Sequence, residues 1–214
     1  MRLPQLWVRL DLMRESFVAA IFKHQAAFGI QLSQDKVTAL ADHYDLVIED
    51  NDRLHLVAPC SPDEFATRHV LESLTLLKFL PENTRIVDVG TGSGLPLIPC
   101  LIVRPDLFGY LIESKQKKAA FLDNVVTRCG LSDRAEVINK QFAEVQRPDV
   151  SFVTCRALGK FTEKLTQILK WSGDAKLLLF GGPALRDAMN AKGIRVETIL
   201  LPLSEQRYLL VSES

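Results

Sequence analysis

Residues 85–94 read Arg85-Ile86-Val87-Asp88-Val89-Gly90-Thr91-Gly92-Ser93-Gly94, an apolar run that ends around an acid and opens into three glycines at alternate positions. A strand, a glycine-rich turn and a following helix together form a site for an adenosine-bearing cofactor. The spacing of the glycines selects among such cofactors. A dinucleotide turn needs G-x-G-x-x-G, whose third glycine lets the helix pack on the strand beneath a pyrophosphate. Here the pattern is G-x-G-x-G, and Leu95 or Leu97 stands where that third glycine would fall. Asp88 would repel a pyrophosphate and suits a ligand with a positive amino group.

The flanks agree with this reading. Gly90, Gly92 and Gly94 allow positive φ and close backbone approach, which a Cβ would block. Pro96 is expected as the first helical residue, where its missing N–H costs nothing. Nineteen residues past Gly94, the strand Phe108-Gly-Tyr-Leu-Ile-Glu113 ends in a carboxylate. An acid about that far along holds ribose hydroxyls in nucleotide folds. In that setting Asp-x-Gly-x-Gly-x-Gly resembles the S-adenosylmethionine loop of class I methyltransferases.

Composition sets the bounds. The chain has 214 residues, 47% of them hydrophobic, enough for one packed core with an added segment. Basic and acidic residues balance at 26 each, so no global field draws it to nucleic acid or membrane. Residues 1–80 hold 8 basic and 11 acidic side chains, leaving a mild basic excess beyond them. Cys60, Cys100, Cys129 and Cys155 form no C-x-x-C pair, so no metal is expected and thiols fit a reducing compartment. The N-terminus meets charge too early for a signal peptide, and Leu95–Val103 is half a membrane span with two prolines. A cytoplasmic protein is the simplest expectation.

Residues 1–80 read as a helical extension packed on a core of residues 81–214. Trp7, Leu10, Phe17, Ala20 and Ile21 recur at helical spacing, and a second helix is predicted from Ser33 to about Val47. Ser61-Pro62-Asp63-Glu64 supplies a capping box for a third, whose face is Phe65, Val70, Leu71, Leu74 and Leu77 and whose end is Pro81. Strands are predicted at 85–89, 108–113, 134–138, 149–154, 175–180, 194–200 and 206–212, with helices notably at 115–129 and 161–171. Alternation of this kind means an α/β, doubly wound, mostly parallel seven-stranded sheet. Only Leu201-Pro-Leu-Ser-Glu205 joins the last two strands, too short for a helical crossover, so they should pair antiparallel.

Further matches surround the loop. Asp88-Val-Gly-Thr-Gly-Ser-Gly-Leu-Pro-Leu-Ile-Pro99, Arg104-Pro-Asp106, His69-Val-Leu-Glu-Ser73, Ile112-Glu-Ser-Lys-Gln-Lys-Lys118, Cys155-Arg156-Ala157 and Arg207-Tyr-Leu-Leu-Val211 resemble, along the whole chain, the bacterial 16S rRNA guanine-N7 methyltransferases, also called glucose-inhibited division protein B. Departures are Gln141-Phe142-Ala143-Glu144 where that family has Arg-Ala-Glu, Phe180-Gly181 where a Lys precedes the glycine, and Leu54-His55-Leu56-Val57 in place of Asn-Leu-Thr.

The resemblance implies S-adenosyl-L-methionine contacts at Gly90, Leu95, Phe142, Ala143 and Arg156, with Arg156 also expected at the reacting group. From the residues themselves, Glu113 would hold the ribose and Asp88 the methionine end, with Gly92 and Gly94 completing the loop. Core packing is an equal reading of Phe142. His69 reads more readily as a packing residue than a catalyst, and Lys115, Lys117 and Lys118 as a solvated face as much as a phosphate contact. The partner implied is 16S rRNA or the small ribosomal subunit; neither membrane nor metal is expected, and the chain should act as a monomer. Other readings are methyl transfer to another RNA site or a small molecule, a non-catalytic cofactor-binding or ribosome-associated protein, and, more remotely, a nicotinamide oxidoreductase.

Overall fold

Strand β1 (Arg85–Val89) forms over the residues predicted for it and lies inside a seven-stranded sheet of order β3-β2-β1-β4-β5-β7-β6. The computed structural model describes residues 3–156 and 161–213, with side chains for 10–156 and 163–213. The other strands are β2 (Phe108–Ile112), β3 (Ala135–Ile138), β4 (Phe152–Arg156), β5 (Lys176–Gly181), β6 (Val196–Leu200) and β7 (Tyr208–Ser212). Strands β1 to β5 pair in parallel, while β7 runs antiparallel to both β5 and β6. Ile86, Val87 and Val89 are all fully buried, the continuous apolar run of a strand covered on both faces. Strand order reverses between β1 and β4, so a crevice opens beyond their C-terminal ends.

Strand β4 is shifted from its predicted span of 149–154. Pairing starts at Ser151, whose N–H donates to the Arg85 carbonyl at 3.3 Å and whose carbonyl accepts from Lys176 at 2.9 Å. The exposed Asp149 stays outside, and Arg156 becomes the last strand residue, in register with Phe180.

One face of the sheet is covered by the N-terminal helices together with helices Leu97–Val103 and Gln116–Arg128, in one apolar cluster that joins Phe17, Tyr44 and Phe65 to Leu97, Ile98 and Phe121. Phe17 stacks on Tyr44 at 4.6 Å, and Phe65 meets Tyr44 edge-on at 4.9 Å. Each such ring contributes about 1.5–3 kcal/mol of burial. Helices Phe161–Ser172 and Pro183–Ala191 cover the other face through Leu165, Ile168, Leu185 and Met189. Among the described residues no helix is long and apolar enough to cross a membrane.

Helix α1 spans Leu3–His24; the side chain of Trp7 lies outside the described residues, and Phe17, Ala20 and Ile21 are buried. Helix α2 (Gln34–Leu54) starts on the predicted Ser33 cap but runs a further seven residues beyond Val47. Buried Leu54 anchors its last turn, and Asn51 Oδ1 accepts the N–H groups of Leu56 and Val57, both at 2.9 Å.

The third helical run, residues 62–79, is not a uniform α-helix. Ser61 caps it, its hydroxyl accepting the Glu64 N–H at 3.1 Å, but the Glu64 carboxylate pairs with Arg68 rather than completing the capping box. Phe65–Leu71 is a π turn and Thr75–Phe79 a 3-10 turn. Widening and then tightening rotates the apolar face, so Leu76 is buried where the 3.6-residue period named Leu77. Pro96 precedes helix Leu97–Val103 instead of starting it.

Candidate active site

The glycine turn is held by the end of the neighbouring strand. Gly90, Gly92 and Gly94 have φ of 73°, 56° and 87°, a region open to glycine and strained for other residues. The N–H groups of Gly90 and Thr91 both reach the Ile112 carbonyl, at 2.8 and 3.2 Å. One Glu113 oxygen accepts the Gly92 N–H at 3.1 Å, and the other accepts the Lys115 N–H at 2.8 Å. A Cβ on Gly94 would lie 2.5 Å from Ile98 Cγ1 and 3.3 Å from His43 Nε2. Gly94 therefore serves the packing of the turn on its helix.

Beyond this turn lies a cavity of about 530 Å³. Gly90, Thr91, Gly92, Ser93 and Leu95 line it from the turn, and Glu113, Ser114, Lys115 and Lys118 from beyond β2. Leu56, Val57 and Ala58 come from the segment after α2, with His69, Arg156 and Lys164 completing the wall. A recess of about 30 Å³ shares Gly90, Ser114 and Lys164 with it and adds Lys140, Gln141 and Phe142.

Five of the predicted residues, Gly90, Gly92, Leu95, Glu113 and Arg156, thus meet on one cavity. Phe142 borders the recess while packing edge-on against Trp171 at 5.8 Å. Ala143 is exposed and lines neither space, and Ala157 lies outside the described residues. Asp88 is fully buried behind the turn and lines neither space. Its two oxygens have no partner within hydrogen-bond geometry among the described residues. Burial pushes its pKa up to about 8; the Thr91 hydroxyl and Leu97 amide oppose this only in part, and nearby Glu113 adds to it.

Two histidines flank the turn as neutral rings. Fully buried His43 donates Nε2–H to the Ser93 carbonyl at 2.8 Å, and burial lowers its pKa to about 4. His69 sits edge-on to Phe65 at 5.1 Å, and burial together with the charges of Arg156, Arg68 and Arg207 lowers it to about 3.

Arg156 is the most constrained cation of the cavity. Its Nη2 donates to Glu72 Oε2 at 2.9 Å and to the Arg68 carbonyl, and its guanidinium lies 5.3 Å above the Phe180 ring. Phe180 occupies the place where a Lys was expected; it supports the arginine through its π face, which a Lys would repel. The other Glu72 oxygen accepts Arg207 Nε at 2.6 Å.

Sequence reasoning quoted Glu72 in a matching segment and Leu56 and Val57 in a departing one but gave them no site role, did not single out Ala58 or Lys164, and ranked His69 as packing. Glu72 carried the clearest signal, a lone acid on an apolar helix face between Leu71 and Leu74.

Comparisons with known proteins bear on the family and the fold. The family model GidB, described as rRNA small subunit methyltransferase G, matches residues 36–199. A protein of that name from Pelotomaculum thermopropionicum is 35% identical over 201 residues, covering 86% of this chain and 84% of its own. Another from Chromobacterium violaceum is 32% identical, covering 82% and 85%. Among solved structures, a SAM-dependent methyltransferase from Aquifex aeolicus superposes with a TM-score of 0.53 at 20% identity, over 80% of this chain and 97% of its own. The METTL16 methyltransferase domain superposes with a TM-score of 0.57 at 14% identity, over 92% and 91%. These structural likenesses speak to fold alone. The family match and the relatives that share about a third of its residues go further: this chain belongs to the rRNA small subunit methyltransferase G (GidB) family.

Proposed function

We propose that the protein transfers the methyl group of S-adenosyl-L-methionine to N7 of a guanine in the 16S rRNA of the small ribosomal subunit. The observation that carries this is the glycine turn tied to Glu113 at the mouth of the cavity. A volume of about 530 Å³ lies within the ~300–1,000 Å³ of small-molecule sites. Thr91 and Arg156 both line the cavity, and their buried Oγ1 and Nη1 atoms make no hydrogen bond in direct geometry among the described residues. When bound, the cofactor supplies an electrophilic methyl group on a sulfonium.

Each Glu113 oxygen keeps a lone pair for a ribose hydroxyl beyond the backbone amide it already accepts. Arg156, in the cavity wall, is the cation for the methionine carboxylate. Leu95 and Phe142 give apolar contact to the base of the cofactor. Gly90 and Gly92 allow close approach. Asp88 acts from behind the turn.

Guanine N7 carries a lone pair at neutral pH, so the protein needs no general base and contributes mainly by placing the nitrogen in line, worth several kcal/mol. N7 is hidden in the deep major groove of A-form RNA, so the target base must be splayed or looped out. Lys115, Lys118, Lys140 and Lys164 stand at the two spaces as phosphate contacts for that strand. A ribosomal target fits a monomer working in the cytoplasm.

The test is to incubate purified protein with labelled cofactor and small subunits from cells lacking the gene, with free 16S rRNA and small metabolites alongside. N7-methylguanosine in the rRNA is the expected product. Turnover on metabolites alone, or on no substrate, would reject the proposal.

A further inference from the structure

We propose that Glu72 is a positioning residue for cofactor binding: its buried carboxylate fixes the Arg156 guanidinium in the cavity wall and anchors it, through Arg207, to the start of β7. This rests on the reading above, in which Arg156 receives the anionic end of the cofactor.

The geometry carries the argument. Glu72 is 1% exposed, and each of its oxygens takes a different arginine, Arg156 at 2.9 Å and Arg207 at 2.6 Å. A carboxylate so placed is strongly unfavourable without cations, and breaking a buried pair leaves an uncompensated charge. Arg156 lines the cavity; Arg207 does not. Glu72 also stands immediately after the π turn, where its N–H donates to the Thr67 carbonyl five residues back. The same turn presents the Arg68 carbonyl to Arg156. Two anchors on Nη2 and a ring beneath therefore hold the guanidinium, while Nη1 makes no hydrogen bond among the described residues.

Two arginines and one glutamate leave one net positive charge, suited to a single carboxylate. Without Glu72, the two guanidiniums repel and Arg156 regains its rotamers, so a ligand must order it on binding. The helical run 62–79 thus sets the affinity of a site whose glycine turn lies elsewhere in the chain.

Calorimetry of S-adenosylmethionine and S-adenosylhomocysteine binding tests this. Glu72→Gln should weaken both by roughly tenfold or more, and Glu72→Asp, which keeps the charge on a shorter stem, by less. Arg207→Met removes one anchor and leaves a neutral pair, so it should fold even if Glu72→Gln does not, and should weaken binding about three- to tenfold. A thermodynamic cycle decides the mechanism: with Arg156→Met already present, adding Glu72→Gln or Arg207→Met should change the dissociation constant less than about twofold. Equal weakening with and without Arg156, or unchanged affinity in folded Glu72→Gln or Arg207→Met protein, would overturn the proposal. Failure of the unsubstituted protein to bind either ligand would instead reject the cofactor reading, and this proposal with it.

Discussion

Glu113 accepts the backbone N–H of Gly92 at 3.1 Å, across the gap between the second strand and the glycine turn. The acid read from the sequence as a ribose ligand is therefore also the strut that shapes the turn. Glu113→Gln retains one acceptor oxygen for two backbone donors, the Gly92 and Lys115 amides. A buried donor left unpaired costs about 1–3 kcal/mol. The substitution should weaken cofactor binding by roughly tenfold or more and lower the melting temperature by several degrees. Calorimetry paired with thermal melts checks both, and unchanged affinity would remove Glu113 from the site.

Gly92 and Gly94 should respond differently to substitution. A Cβ on Gly92 has only the Gly90 carbonyl nearby, at 3.9 Å, so Gly92→Val places its methyls in the cavity. At φ 56° valine also carries left-handed strain, so we expect a protein that folds with reduced stability and no longer binds cofactor; retained micromolar binding would contradict the assignment. In Gly94→Ala the new methyl meets Ile98 and His43. Overpacking and left-handed strain together should destabilise the fold by about 2–5 kcal/mol in urea titrations. Ile98→Ala should cost less in that chain than in the unsubstituted one, because it makes room for the new methyl.

Stability should peak near pH 6.5. Asp88 is raised to about 8, so its share of stability is complete below the ordinary carboxyl value near 4 and is lost as pH rises through 8. His43 and His69, lowered to about 4 and 3, contribute stability above the ordinary value of 6.5 that is lost on acidification. Between pH 4 and 6.5 two histidines oppose one carboxyl, a net slope of about 1.4 kcal/mol per pH unit in favour of higher pH. Above 6.5 Asp88 alone reverses the sign. Asp88→Asn should flatten the limb between pH 6.5 and 8 in urea titrations. A limb that persists in this variant assigns the proton to another group.

Lysines at the two spaces should reveal themselves through salt. Lys140→Gln and Lys164→Gln should each reduce the slope of log affinity for small subunits against log salt by about 0.7–0.9. Cofactor affinity should fall less than affinity for the subunit, since these side chains only border the cofactor space. Weakened cofactor binding with an unchanged salt slope would reassign these side chains.

What was legible in the sequence was local. Arg85–Val89 was readable to the residue because a strand covered on both faces is a continuous apolar run between a loop and a glycine turn. The terminal hairpin followed from a connection too short to hold a helix. Helix α2 was read short because its last turns are charged and only Leu54 anchors them. The π turn at Phe65–Leu71 defeats any reading that assumes 3.6 residues per turn. In the site, Gly90, Gly92, Leu95, Glu113 and Arg156 stand in or next to motifs. His69 and Glu72 stand in a matching segment too, but their roles there depend on partners far along the chain, Glu72 finding its arginines 84 and 135 residues away, and Ala58 and Lys164 reach the cavity only by tertiary packing.

That last separation bears on how the molecule comes into being. During synthesis the N-terminal helices emerge well before the final hairpin, and the link from Glu72 to Arg207 must wait for 135 residues of chain to follow. Contacts so distant along a polypeptide close late, after nearer ones have cut the entropy of the search. Competence to hold a methyl donor therefore arrives with the final strand, and a nascent chain stalled short of it carries the glycine turn without the finished grip.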